Sequence, residues 1–275
     1  MGFNRRVRRE NIKRRRNAIE KRRCLVKQMR FLLAIDDTDQ KDWPGTGHLL
    51  EKIRKNITEN GWGITDCITR HQLFVHPSVP YTSHNSVMCF AGEISQKEKI
   101  EDIIDLTISY LKRESAPEAD PGLCVVFPEE LKNPEKLITF GKKAKKEKLF
   151  KKDAYKLAEQ LSIYLSEHGG TGDGIIGALA GTGLRLSGND GRFRGKLFIL
   201  DEKTKYSVGN LYKYNGIDKI CSEEGELPAS EEYVFLSGKV KTVLRENQSV
   251  LLVKKQLEQD RVIWKNLEHA EIKRY

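Results

Sequence analysis

No stretch of this chain holds the roughly 18 consecutive apolar residues that a membrane-spanning helix needs. Nothing near its N-terminus has the apolar run of a secretory signal, so secretion is not expected. The five cysteines, Cys24, Cys67, Cys89, Cys124 and Cys221, stand far apart and form no Cys-x-x-Cys pair. That spacing excludes a zinc ribbon and suits reduced thiols in a cytoplasm. No Gly-Lys-Ser/Thr triplet occurs, which excludes a Walker phosphate loop.

At 275 residues the chain can bury a proper core in one or two domains. Its net charge of +10 is unevenly placed. Residues 1–30 carry 13 Lys/Arg against 2 acids, which leaves 36 basic and 37 acidic residues elsewhere. The body is neutral and the tail is basic. Met29 directly precedes the first strand, so the tail reads either as an extension ahead of the native start or as a disordered or helical arm. Such an arm binds nucleic acid nonspecifically through its phosphates.

Phe31 to Ile35 reads as a short buried strand, and Asp36, Asp37 and Asp39 follow within four positions. One Asp is enough for a turn. Three crowded carboxylates repel one another unless a cation sits among them, and a hard ion such as Mg²⁺ takes carboxylate, water and phosphate oxygens. After a Pro44-Gly45 turn, a helix carries Leu49, Leu50, Ile53 and Ile57 on one side. Arg70–Val75 and Ser86–Ile94 read as strands, Lys97–Leu111 as an amphipathic helix and Leu123–Phe127 as a strand. The order β-α-β-β-α-β is the split-βαβ, ferredoxin-like arrangement, with the first strand central.

The lysine-rich stretch 129–152 reads as a solvated helix face, with a phosphate or RNA contact as the alternative. Asp153 is placed as the N-cap of a helix through Leu165 that stops at Gly169-Gly170. Gly172, Gly174 and Gly177 formally spell Gly-x-Gly-x-x-Gly, but with a helix expected ahead of them the dinucleotide-binding reading is rejected. A glycine loop opening onto a helix offers backbone N–H groups to an anion, so Gly170, Thr171, Gly172 and Gly174 are candidates for holding phosphate. The alternative is close packing at Gly177, Ala178 and Gly181. Beyond Lys196 short strands are expected at Leu197–Leu200, Tyr233–Val243, Ser249–Val253 and Val262–Trp264, with a boundary near Ser222–Pro228.

Four elements, taken in order, resemble the catalytic part of the archaeal agmatinylcytidine synthetase that modifies an isoleucine tRNA. They are Asp36-Asp37-Thr38-Asp39 with Thr46 at a fixed interval, Pro77-Ser78-Val79-Pro80, Asp120-Pro121-Gly122, and Gly174-Ile175-Ile176-Gly177-Ala178-Leu179. Gly45 stands where that family has Cys, His48 replaces a second threonine neighbour, and the zinc ribbon is missing. The resemblance implies ATP as cofactor beside Mg²⁺ and a role for Thr46 in ATP chemistry, flanked by Gly45 and Gly47. An N-cap is the plain alternative for Thr46.

The expectation is an α+β fold: a ferredoxin-like N-terminal part, a helical glycine-loop segment and a small β-rich C-terminal part. The division runs 1–30 basic arm, 31–196 ATP-binding catalytic domain and 197–275 β-rich appendage. Metal ligands are Asp36, Asp37 and Asp39, and catalytic candidates are Asp37, Thr46 and His48. Tyr81 to Asn85 is read as an acceptor pocket. The function expected is Mg-dependent phosphoryl transfer to an oxygen of RNA (tRNA) or of a small molecule, followed by amine ligation. Against it stand an RNA-binding protein with a vestigial acidic site and a nucleotide-binding module without turnover.

Overall fold

The computed structural model describes residues 28–79, 85–195, 205–258 and 261–275. The expected basic arm up to residue 27, the expected strand at Leu197–Leu200 and the donors Tyr81, Thr82, Ser83 and His84 lie outside the described residues. In chain order the first half runs β1 (Met29–Asp36), α1 (Thr46–Glu59), β2 (Ile64–Thr65), β3 (Thr69–Gln72), β4 (Ser86–Ile94), α2 (Lys99–Glu114) and β5 (Gly122–Val126). It continues with α3 (Pro134–Ala144), α4 (Lys151–Leu161), β6 (Tyr164–Glu167), α5 (Gly174–Leu186) and β7 (Arg192–Phe193). The remainder is β8 (Lys205–Ser207), a one-turn α6 (Val208–Leu211), β9 (Lys219–Cys221), β10 (Tyr233–Phe235), β11 (Val243–Arg245), β12 (Gln248–Glu258) and β13 (Arg261–Asn266).

Strand β1 is apolar throughout because both of its faces are covered. Phe31, Leu33 and Ile35 pack with α1 and α2, whose Leu50, Ile53, Ile57 and Ile103 are fully buried. Leu32 and Ala34 pack on the other side with α3 and α5. The ladder runs β6-β5-β1-β4-β3, every pair antiparallel. Its inner four strands have the ferredoxin-like order, with β1 in the middle as expected. The fold is α+β, and β7 carries the ladder on from β3 to β11 and so into the C-terminal strands.

Three expectations fail locally. The helix beginning near Asp153 ends at Leu161, because Ser162 takes a left-handed conformation (φ +55°) and Tyr164–Glu167 leaves to pair with β5. Phe150, not Asp153, is its N-cap residue. A strand therefore does precede the glycine loop. It is an antiparallel edge strand, so the dinucleotide fold stays excluded. Residues 233–243 form two strands rather than one, because Gly238 (φ +63°) turns the chain between β10 and β11. Ser222–Pro228 holds a tight turn, with the Ser222 N–H donating to the Glu226 carbonyl at 2.8 Å.

The glycines of α5 are packing glycines. A Cβ on Gly181 would lie 2.6 Å from a Val87 methyl, and one on Gly183 would lie 2.2 Å from the Leu137 carbonyl oxygen of α3. A buried network ties the end of α5 to the sheet. The fully buried His71 ring contacts Thr69 Oγ1 at 2.8 Å and Asp190 Oδ1 at 2.9 Å, and Lys145 bonds the other Asp190 oxygen. The Thr69 hydroxyl also donates to the Cys89 carbonyl at 3.1 Å, and burial lowers the His71 pKa against the pull of Asp190. The role of His71 is thus structural. The described helices include none long and apolar enough to cross a membrane.

Gly183→Ala decides between two opposed effects. Helix propensity favours Ala by about 1 kcal/mol, whereas overpacking against a main-chain oxygen costs about 1–3 kcal/mol or more. The expected outcome is a melting temperature lowered by several degrees in a thermal unfolding experiment; a rise would refute the tight α3–α5 crossing.

Candidate functional site

The carboxylates at the end of β1 separate as the strand ends. Asp36 is the last residue in the ladder, opposite Gly122, and its side chain follows the alternation toward α5. It rests against Gly177, where a Cβ would lie 1.7 Å from Oδ2. Asp37 then takes φ +52°, a conformation that Asp tolerates better than most residues, and the chain turns away from the sheet. Asp39 swings back to the start of α1, where its Oδ1 accepts from Thr46 Oγ1 at 3.1 Å.

Thr46 is the first residue of α1, and Gly45 occupies the N-cap position without any side-chain cap. The N-cap alternative for Thr46 therefore does not hold. Its hydroxyl accepts from the wholly buried Thr38 Oγ1 at 3.1 Å and donates to Asp39, which fixes its orientation from two sides. Gly47 lies under the Arg194 side chain, where a Cβ would sit 2.5 Å from the Arg194 Nε. His48 is exposed on the same helix, and its ring has no hydrogen bond among the described residues.

On the other side of Asp36 and Asp37 opens a pocket with two kinds of wall. Asp36, Asp37, Asp120, Asp173 and Glu147 make it acidic, with Lys148 opposing them. Leu73, Phe74, Val79, Leu149 and Ile176 make the rest apolar. Burial, reinforced by Asp37 and Asp39, holds the Asp36 carboxyl well above the usual range. Burial together with Asp120, Asp39 and Asp173 pushes Asp37 up to about 6. Asp120 stands out in the sequence only within the Asp120-Pro121-Gly122 element and Asp173 not at all, and only the fold brings them beside Asp37.

The glycine loop meets the site differently from expectation. Thr171 donates both its N–H and its hydroxyl to Asp120, the latter at 2.9 Å. The Gly172 N–H reaches the Gly169 carbonyl at 3.1 Å, and the Gly174 N–H reaches that of Asp120, also at 3.1 Å. As folded, the N–H groups of Thr171, Gly172 and Gly174 are therefore committed within the protein. Its glycines instead allow close approach: a Cβ on Gly174 would lie 2.2 Å from the Asp120 carbonyl oxygen. Among the described residues no group of three or more His, Cys, Asp or Glu is placed to hold a metal ion. Asp36, Asp37 and Asp39 diverge because strand alternation, the left-handed turn and Thr46 each claim one of them.

No family model matches the sequence, and no curated protein matches it. Among solved structures, TiaS in complex with its isoleucine tRNA and ATP superposes over 74% of this chain and 50% of its own, with a TM-score of 0.51 at 22% identity. This chain has the TiaS fold. Apo TiaS, a tRNA agmatidine synthetase, aligns over 56% of the chain and 35% of its own at 25% identity, and a tRNA fluorescent labeling enzyme over 56% and 36% at 26%, each with a TM-score of 0.48. The chain spans half or less of the length of these three structures. The resemblance read from the motifs thus holds for the fold.

Burial and then crowding at Asp37 carry a cost. Its carboxyl is pushed up to about 6 in the folded chain, against about 3.9 when unfolded. A raised folded pKa means that folding is favoured by the protonated form, so the penalty appears above about pH 4 and is complete above about pH 6. Asn removes the charge and also tolerates the left-handed backbone. Asp37→Asn is therefore expected to melt a few degrees higher than the parent at pH 8 and at the same temperature at pH 3.5. A variant less stable at pH 8 would refute this penalty on the ionised form.

Proposed function

We propose that the chain is a magnesium-dependent, ATP-using enzyme that activates a substrate oxygen by phosphoryl transfer, with ligation of an amine following. One observation carries this reading: the Thr46 hydroxyl, oriented by Thr38 and Asp39 at an uncapped helix start, is joined through Asp39 to the strand end whose Asp36 and Asp37 line a pocket that is acidic at one end and apolar at the other. The apolar wall of Leu73, Phe74, Val79, Leu149 and Ile176 suits a nucleobase. ATP binding in the TiaS complex supports the same assignment.

The donor set fits magnesium that arrives with the nucleotide. Asp36 and Asp37 present hard carboxylate oxygens, and an ion of this kind takes one or two protein carboxylates and completes its shell with water and phosphate. When bound, it supplies charge neutralisation at the phosphates. Asp39 would then be a catalytic base rather than a ligand, because its Oδ1 already faces the Thr46 proton. As Thr46 Oγ1 attacks the γ-phosphorus, its proton passes to Asp39, the bond to the β,γ-bridging oxygen breaks and ADP departs. Thr38 holds the attacking oxygen in place through its hydrogen bond. Transfer from phospho-Thr46 to the substrate oxygen returns the hydroxyl.

Incubation with γ-labelled ATP and Mg²⁺ tests this. Label is expected on Thr46, absent in Thr46→Val, and formed about 10²–10⁴ times more slowly in Asp39→Asn, the range typical for loss of a general base. Chelation of the metal abolishes it. Failure of the parent to bind or turn over ATP refutes the proposal, and tight ATP binding without turnover assigns a nucleotide-binding module instead.

A further inference from the structure

Helices α1 and α2 cover one face of the sheet over β1 and β4 but leave its β6 edge open. There α2, β5, β6 and the turn Pro128–Glu130 frame a groove. Its apolar wall is Ile104, Val125, Phe127, Leu161, Ile163 and Tyr164, and Tyr164 is 37% exposed. Among the described residues β6 pairs with β5 alone, and bare strand edges of this kind are usually covered. The rim of the groove is acidic. Glu101 and Asp105 stand four residues apart on α2, a spacing at which like charges repel. Neither carboxylate takes part in an ion pair among the described residues. Glu130 is matched by Lys97, the one cation among the groove's lining residues.

The chain enters its first strand beside this groove. Met29 packs into the same apolar cluster as Ile104 and Phe127. Leu32 is opposite Val126 in the ladder, so Phe127 and the turn after it lie along the start of β1. Ahead of the described residues, Lys21-Arg22-Arg23-Cys24-Leu25-Val26-Lys27 holds four cations, three apolar residues and no acid. At about 3.3 Å per extended residue, Lys21 can lie up to about 26 Å from Met29. That exceeds the width of two neighbouring strands and a helix together, about 20 Å. A neutral apolar segment would leave Glu101 and Asp105 unmatched, and an acidic one would be repelled. We infer that residues 21–27 dock in this groove of their own chain, with Leu25 and Val26 on its apolar wall and Lys21, Arg22 and Arg23 beside Glu101 and Asp105. The inference does not depend on the proposed ATP chemistry.

A carbodiimide, which condenses an ammonium with a carboxylate in contact with it, tests this on the full chain. Peptide mapping is expected to find Lys21 or Lys27 joined to Glu101, Asp105 or Glu130. In a mixture of isotope-labelled and unlabelled chains, both halves of each link should carry the same label. Arg22→Glu/Arg23→Glu should lower the yield of these links about fivefold, the scale of one or two exposed ion pairs. Adding Glu101→Arg/Asp105→Arg to that variant exchanges the charges and should restore the link from Lys27 to Glu130, which also shows that the exchanged chain folds. Adding Glu135→Arg/Glu159→Arg instead, an equal change at exposed positions of α3 and α4, should restore nothing. Links spread over the exposed acids without preference, or a yield indifferent to the charge exchange, overturn the inference. Links found only between differently labelled chains also overturn it and assign the groove to the arm of a second copy.

Discussion

Everything at this site depends on how closely helix α5 approaches the end of strand β1. Gly122, Gly174 and Gly177 leave no room for a single Cβ between the helix start, β5 and the Asp36 carboxylate. That close approach brings Asp173 beside Asp37 and seats Asp120 across from both. A larger residue at any of the three glycines would push the helix outward and open the acidic cluster. The same helix is gripped from behind by α3 through Gly141, whose Cβ would lie 2.8 Å from the Ala180 carbonyl oxygen. The glycines cost conformational entropy, and the close-packed layer they permit offsets it.

The second organising feature is the division of charge about Thr46. Acidic residues cluster where β1 ends, and cations cluster where β3, β7 and the C-terminal strands meet. Each cluster carries an electrostatic cost in the isolated chain, visible as Asp37 pushed up and Lys241 pushed down. Strained electrostatics of this kind collect where ligands bind. A protein tuned only for stability would have paired these groups with each other. Instead Thr38, Thr46 and Asp39 form a neutral-to-acidic hydrogen-bonded bridge between the two.

Several elements were legible from residue order alone. The apolar run 31–35 followed by acids marked a central strand end, and the helical periodicities of α1 and α2 completed a ferredoxin-like order that the ladder reproduces. Local pattern was misleading where a tertiary partner overrode it. Leu157, Leu161 and Leu165 keep a helical spacing, yet Tyr164–Glu167 pairs with β5 because that edge needed a strand. The glycine loop reads as a phosphate nest, and only the tertiary structure shows the Thr171 N–H and hydroxyl turned to Asp120.

What the sequence by itself determined is therefore the fold's inner frame and the presence of a carboxylate-rich strand end followed by Thr46, because these depend on short-range periodicity and adjacency. Tertiary structure alone decided which side chains meet. It set Asp36, Asp37 and Asp39 apart, recruited Asp120 and Asp173 from distant parts of the chain, and assembled Arg70, Arg192, Arg194, Lys239 and Lys241 into one cleft. Charges dispersed along a chain leave no periodic trace, and their mutual distances exist only once the sheet has closed.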